Sequence, residues 1–228
     1  MANRITRHIP NAITCCNLIS GCLAVMAAFN AQPLHVLLWV VAGALFDFCD
    51  GLSARALKAY SPIGKELDSL ADLVTFGLAP AMLCLMTLRS FDYSCSTLAL
   101  LYPYIGLVLV VFAALRLAKF NTDERQTTSF LGLAVPANAL FWCGLFQMDL
   151  TNLPFAPWII GLLVLLFAGL MVSEIPMFSL KFKSLRWSDN KIRFIFLIVS
   201  VVILILLHEK GLAAVIGWYI ILSILTKG

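Results

Sequence analysis

Long apolar runs, broken by short polar interruptions, repeat along the whole chain. Eight can be traced, roughly 11–30, 33–57, 62–88, 97–118, 130–149, 155–180, 191–208 and 211–226. Most approach or exceed the ~20 residues an α-helix needs to cross a bilayer, and the last is the shortest. The pattern predicts an all-α integral membrane protein with about eight transmembrane helices and short connections. Composition agrees. Of 228 residues, 61% are hydrophobic and 12% charged, and the mean hydropathy of +0.96 excludes a soluble globular domain. Arg4 and Arg7 precede the first apolar run without a small-residue cleavage site, so that run is expected to be a retained helix and not a signal peptide.

Charge changes the picture by giving the spans a direction. The net charge is +4. In a membrane chain that excess bears on orientation, and no nucleic-acid partner is expected. Of the 16 lysines and arginines, only Arg89 and Lys210 fall on one side of the eight-span scheme. The other side carries Arg4, Arg7, Arg55, Lys58, Lys65, Arg116, Lys119, Arg125, Lys181, Lys183, Arg186, Lys191, Arg193 and Lys227. The positive-inside rule makes that side cytoplasmic. A multi-pass protein of the cell membrane, with both termini in the cytoplasm, is predicted. No repeat or soluble domain interrupts the chain, so residues 1–228 are read as one membrane domain. The seven cysteines form no C-x-x-C pair and mostly lie in apolar runs. They are expected to be small buried hydrophobes, not a metal site or disulfide framework.

One segment departs from the apolar pattern. "LFDFCDGLSARALKAYSPIGKELDSLADLVTFG", residues 45–77, places Asp47, Asp50, Asp68 and Asp72 among apolar neighbours. At about 100° per residue, Asp47, Asp50, Gly51 and Ala54 fall on one helix face. Ser61-Pro62 is a helix start, with Ser as N-cap and Pro at the first helical position. Gly64, Asp68 and Asp72 then follow at intervals of four along one face. The two helices can point four carboxylates at one another, at the cytoplasmic end of both spans. Carboxylates at bilayer depth are costly. A bound hard cation such as Mg²⁺, Mn²⁺ or Ca²⁺ would offset them, since the donors are all oxygen and no histidine joins the cluster. The alternative is a set of solvated helix-end charges. Arg55 and Lys58 are close enough to meet phosphate, or to anchor the helix end by snorkelling. Cation, basic residues and a groove facing both lipid and cytoplasm suggest phosphate chemistry on a lipid.

Asp47-x-x-Asp50-Gly51-x-x-Ala54-Arg55, eight residues, then Gly64-x-x-x-Asp68-x-x-x-Asp72 resembles the complete signature of the CDP-alcohol phosphatidyltransferases. Pro10-Asn11-x-x-Thr14-x-x-Asn17-Leu18 resembles the start of that family's first helix. "DSLADLVTFGLAPA" (68–81), "AALRLAKFN" (113–121), "LGLAVPANA" (131–139) and "LMVSEIPMFSLK" (170–181) are similar to blocks of its integral-membrane phosphatidylserine synthase branch. Thr75 stands where serine is expected in that branch, and Lys119 where arginine is common. The resemblance assigns the family core to residues 1–140 and further helices to 141–228. It implies that an alcohol, here L-serine, attacks the lipid-bearing phosphorus of CDP-diacylglycerol or its archaeal equivalent, with CMP leaving. It implies two divalent ions, Mg²⁺ or Mn²⁺, held by Asp47, Asp50, Asp68 and Asp72, with Asp72 also the general base. Gly51, Ala54, Arg55, Gly64, Asn17 and Lys58 would bind the CDP-lipid, and a homodimer in membrane lipid is expected.

Arg116, Asn121 and Thr75 are candidates for the serine site. For Arg116 the alternative is a positive-inside anchor, and for Asn121 a helix cap. Glu174, before Ile175-Pro176, is expected to pair with a nearby lysine or arginine, because an unpaired carboxylate there would be costly; the alternative is that it faces the substrate groove. Two other functions remain open. Another acceptor, glycerol 3-phosphate or an inositol phosphate, would want more basic residues near the site. A divalent-cation transporter would want acidic residues continuing across the bilayer, whereas Asp92 and Asp149 fall in turns.

Overall fold

In the computed structural model the apolar runs are helices. The structure describes residues 8–93, 96–123, 130–150, 153, 155–178 and 187–226. Arg4, Arg7, Cys95, Arg125, Lys181, Lys183, Arg186 and Lys227 lie outside them. The order is α1 (Ile9–Phe29), α2 (Pro33–Ala56), α3 (Pro62–Asp72), a π-helical turn (Leu73–Leu78), α4 (Ala79–Arg89), α5 (Ser96–Leu101), a 3₁₀ turn (Tyr102–Leu107) and α6 (Val108–Thr122). Next come β1 (Phe130–Leu131), α7 (Val135–Leu145), α8 (Ala156–Val172), β2 (Pro176–Met177), α9 (Trp187–Leu207), a second 3₁₀ turn (His208–Lys210) and α10 (Gly211–Thr226). Five stretches are long and apolar enough to cross a membrane: Ile9–Phe29, Pro33–Ala56, Pro62–Arg89, Ala99–Thr122 and Asn190–Thr226. The last is divided by the turn at His208, whose φ is +51°, giving the two runs that the pattern predicts. α7 and α8 are shorter apolar helices. The chain is an all-α integral membrane protein.

Local chemistry explains the boundaries. Proline opens α1, α2, α3, α7 and α8 within their first two positions, where its missing N–H and fixed φ are harmless. Ser61 caps α3 as the sequence suggests, accepting from the Gly64 N–H at 3.0 Å. α2 ends in a Schellman turn. Lys58 takes a φ of +50°, its N–H reaches the Arg55 carbonyl at 3.3 Å, and the Ala59 N–H reaches the Ala54 carbonyl at 3.0 Å.

α1 packs along α2 and touches α3, the π turn and α4, while α6 packs on the π turn and α8, and α10 packs on α7 and α9. Val36, Val40, Leu83, Leu88, Leu109 and Trp142 are fully buried between these helices. Phe141 and Phe167 stack at 3.9 Å between centroids, joining α7 to α8.

Two spans are shorter than expected. Helix was predicted over 130–149 and 155–180, but residues 130–131 pair antiparallel with 176–177. Ile175 precedes a proline, which disfavours helical backbone, and α8 stops at Val172. Gly132 has a φ of +72°, and its N–H bonds the Ile175 carbonyl at 2.9 Å. The cysteine expectation is corrected too. Cys84 and Cys143 are buried, but Cys15, Cys16, Cys22 and Cys49 are exposed on outer helix faces, where a moderately apolar side chain suits a lipid-facing surface as well as a core.

Candidate active site

The carboxylates of Asp47 and Asp50 on α2 converge with that of Asp68 on α3, and α1 packs against both helices. One oxygen from each of Asp47, Asp50 and Asp68 lies within 4.8 Å of the others. Asp68 Oδ1 is buried with no hydrogen-bond partner. Among the described residues, no lysine or arginine forms an ion pair with any of the three. Three clustered carboxylates without a counter-charge repel one another. An all-oxygen donor set with an unpartnered oxygen fits a hard divalent cation.

α1 completes the site from one side. Thr14 Oγ1 is 2.5 Å from Asp50 Oδ2 and 3.0 Å from the Pro10 carbonyl, so its single proton serves one acceptor at a time. Asp50 is 7% exposed. Asn17 is fully buried, and its Nδ2 donates to Asp72 Oδ1 at 3.0 Å. Asp72 is thus one turn beyond Asp68 and stands apart from the three-oxygen cluster, held by α1. The sequence marks α1 through the resemblance of 10–18, but gives Thr14 no role. Its signal is two polar residues, three apart, on one face of an apolar helix.

Beside the carboxylates is an open pocket of about 220 Å³, lined by α1, α2 and α3 and by the turn at 59–61. Its walls include Asp50, Gly51, Ala54, Gly64 and Asp68, and also Asn11, Tyr60 and Lys65, to which no role had been given. Gly64 is closely approached, since a Cβ there would lie 2.9 Å from both Asn11 Oδ1 and Ser61 Oγ and would have to displace them. Arg55 and Lys58 are not in the lining. Arg55 lies one turn after Gly51, with its guanidinium near that glycine, and the backbone of Lys58 forms the turn that ends α2.

The three candidates for a second substrate separate. Arg116 on α6 is 7% exposed. Its guanidinium lies 4.8 Å from the Phe120 ring centroid, within electrostatic reach of Asp72 and Tyr219. Asn121, at the end of α6, donates to Ser69 Oγ at 2.7 Å and accepts from Lys65 Nζ at 3.0 Å. Thr75 is fully buried and donates to Asn17. Glu174 is paired as expected, 3.7 Å from Lys119 Nζ, which also donates to the Val172 carbonyl at 3.3 Å.

Comparison with known proteins agrees with this geometry. A family model described as CDP-alcohol phosphatidyltransferase matches residues 7–226. A Bacillus subtilis protein named CDP-diacylglycerol–serine O-phosphatidyltransferase is 38% identical over 133 residues, covering 57% of this chain and 70% of its own length. A Helicobacter pylori protein of the same name is 31% identical over 222 residues, covering 95% and 89%. One from Mycobacterium leprae is 33% identical over 179 residues, 74% of this chain but only 57% of that protein.

Proposed function

The chain belongs to the CDP-alcohol phosphatidyltransferase family, and from that premise we propose that it is a phosphatidylserine synthase. It moves the phosphatidyl group of CDP-diacylglycerol to the hydroxyl of L-serine and releases CMP. The observation that carries the reading is the three-carboxylate cluster opening onto a pocket walled by Gly51, Ala54 and Gly64. Small side chains there leave room for a nucleotide beside a site suited to its diphosphate. Serine as acceptor is supported by the names of the relatives and by the position of Arg116.

Asp47, Asp50 and Asp68 would hold the divalent metal, Mg²⁺ or Mn²⁺ as a pair of ions, with Asp72 adding a fourth carboxylate. Bound there, the metal offsets the diphosphate charge and favours departure of CMP. Gly51, Ala54 and Gly64 admit the nucleotide, and Arg55 meets its phosphate. Asp72 has one oxygen engaged by Asn17, and the other accepts the proton of the incoming serine hydroxyl. Arg116 binds the serine carboxylate, a charge-assisted pairing favoured in a poorly solvated setting. The P–O bond to serine forms as the P–O bond to CMP breaks, without a covalent enzyme intermediate. Asn17 and Thr75 act on the carboxylates and not on the substrates, and Asn121 braces α6 against α3.

The site faces the cytoplasm, where serine and CMP are soluble, and the protein works as a homodimer in the cell membrane. CMP release from CDP-diacylglycerol on adding serine, and weaker metal and CDP-lipid binding in Asp47→Asn, would support the assignment. Undiminished binding in Asp47→Asn would remove the carboxylates from it.

A further inference from the structure

Directly after Asp72 the helix widens. Residues Leu73–Leu78 form a π turn, in which the Ala79 N–H reaches the Val74 carbonyl five residues back. Pro80 follows and cannot donate, so regular α-helical bonding could not run unbroken through this point. Single π turns in α-helices are frequent at functional sites. Here the turn places Thr75 in a notch between α1 and α2. The floor of the notch is Gly21 and Gly43. A Cβ on Gly21 would collide with Thr75 Oγ1 and lie 2.9 Å from its Cα and N. A Cβ on Gly43 would collide with Thr75 Cγ2 and lie 2.9 Å from Asn17 Oδ1. Gly21 is one turn beyond Asn17, and Gly43 one turn before Asp47, so the notch forms the layer immediately beneath the carboxylates.

In the notch Thr75 Oγ1 lies 2.8 Å from Asn17 Oδ1 and 3.0 Å from the Asn17 carbonyl. Among the described residues the hydroxyl proton bonds only Asn17 oxygens. This favours one orientation of the amide: with Oδ1 accepting from Thr75, Nδ2 faces Asp72, which it reaches at 3.0 Å. The reversed amide would set its oxygen against the Asp72 carboxylate and would cost Thr75 its shorter bond, sending its proton to the Asn17 carbonyl alone.

We propose that Thr75 is a positioning residue: seated in the Gly21–Gly43 notch by the π turn, it orients the Asn17 amide so that Asn17 holds one oxygen of Asp72 and leaves the other turned to the reaction. The inference deepens the proposed function and rests on its assignment of Asp72. A hydroxyl is needed at position 75 and a methyl is not, so serine should replace threonine.

The test compares Thr75→Ser with Thr75→Val in the full-length protein, purified in lipid nanodiscs. Three readouts are taken: Mn²⁺ affinity without substrate, the steady-state constants for CDP-diacylglycerol and serine, and the unfolding midpoint. Outer-shell partners of metal sites typically change affinity or activity by about 10–100-fold. The expected result is that Thr75→Val lowers kcat and Mn²⁺ affinity by about tenfold or more, with KM for CDP-diacylglycerol within about threefold of wild type, while Thr75→Ser stays within about threefold throughout. Should Thr75→Val fail to fold, Thr75→Ala removes the hydroxyl without adding bulk. Equal behaviour of the hydroxyl-bearing and hydroxyl-free variants overturns the proposal, whether both are active or both impaired. A wild type that binds Mn²⁺ but releases no CMP with serine defeats the function and not this inference, which the Mn²⁺ affinities then decide alone.

Discussion

Asn121 Nδ2 donates to Ser69 Oγ across 2.7 Å, tying the end of α6 to the residue that follows Asp68. Lys65 makes a second tie at the same place through the Asn121 carbonyl. Asn121 is therefore occupied in bracing two helices. Arg116, just over one turn earlier, has no hydrogen bond or ion pair among the described residues, although it is almost wholly buried. That state is what the proposed pairing of Arg116 with the serine carboxylate requires.

The two residues should therefore separate under mutation. Arg116→Ala is expected to raise KM for serine about 10- to 100-fold, the effect of losing a charge-assisted bond of roughly 1.5–3 kcal/mol, with far less effect on KM for the CDP-lipid. Asn121→Ala should lower the unfolding midpoint and change both KM values little, since it loses one neutral bond of about 1 kcal/mol. Equal effects of Arg116→Ala on both substrates would reduce Arg116 to an anchor.

Asp72→Asn keeps the size of the side chain and removes its charge and basicity. A positioned base is typically worth about 10²–10⁴-fold, so kcat should fall at least about a hundredfold. CDP-lipid binding should be largely retained, because Asp47, Asp50 and Asp68 remain. Both substitutions should weaken metal binding, and Asp47→Asn should weaken nucleotide binding as well. Turnover and binding measured on the same preparations at several metal concentrations decide between these roles. Restoration of Asp72→Asn to near wild-type turnover by excess metal would show that Asp72 is only a ligand.

Much of this arrangement could be read from residue order, because it depends on helical period alone. Apolar runs of bilayer length located the helices, and the step of three from Asp47 to Asp50 and of four from Gly64 to Asp68 put those carboxylates on one face of each helix. Ser61-Pro62 marked a helix start that the Gly64 N–H completes. What stayed hidden depends on contacts between distant segments. The partners of Asn17 are 55 and 58 residues away, so neither spacing nor composition reveals that it grips Asp72, or that Thr75 grips it in turn. The π turn has no sequence period of its own. The apolar run at 155–180 hid the strand pair, because Pro176 ends helical backbone without ending hydrophobicity.

The strand pair gives a third prediction. Gly132 has a φ of +72°, and a Cβ there would lie 2.6 Å from the Met171 carbonyl oxygen and 2.8 Å from that of Ser173. Backbone in such a region costs about 1–3 kcal/mol for residues other than glycine. Gly132→Ala should lower the unfolding midpoint by several degrees, more than Gly217→Ala, where no atom lies within 4 Å of the added methyl. Thermal unfolding in the same detergent compares them, and equal midpoints would mean that the β1–β2 clip is not a stabilising element.

Orientation gives a fourth. With fourteen of the 16 basic residues on one side of the eight-span scheme, single cysteines at position 123 in a cysteine-free background should label only after the membrane is breached. Cysteines at position 92 should label in intact cells with an impermeant reagent. The reverse pattern would invert the chain and move the acidic site to the outer face.

CMP release decides whether the protein transfers a phosphatidyl group to serine. Purified protein is supplied with CDP-diacylglycerol, Mg²⁺ or Mn²⁺, and in separate reactions L-serine, glycerol 3-phosphate or an inositol phosphate. CMP is expected to appear with serine, matched mole for mole by phosphatidylserine, and to stop appearing when the metal is chelated. Release that depends on glycerol 3-phosphate or an inositol phosphate and not on serine, or that continues without divalent metal, would contradict the proposed function.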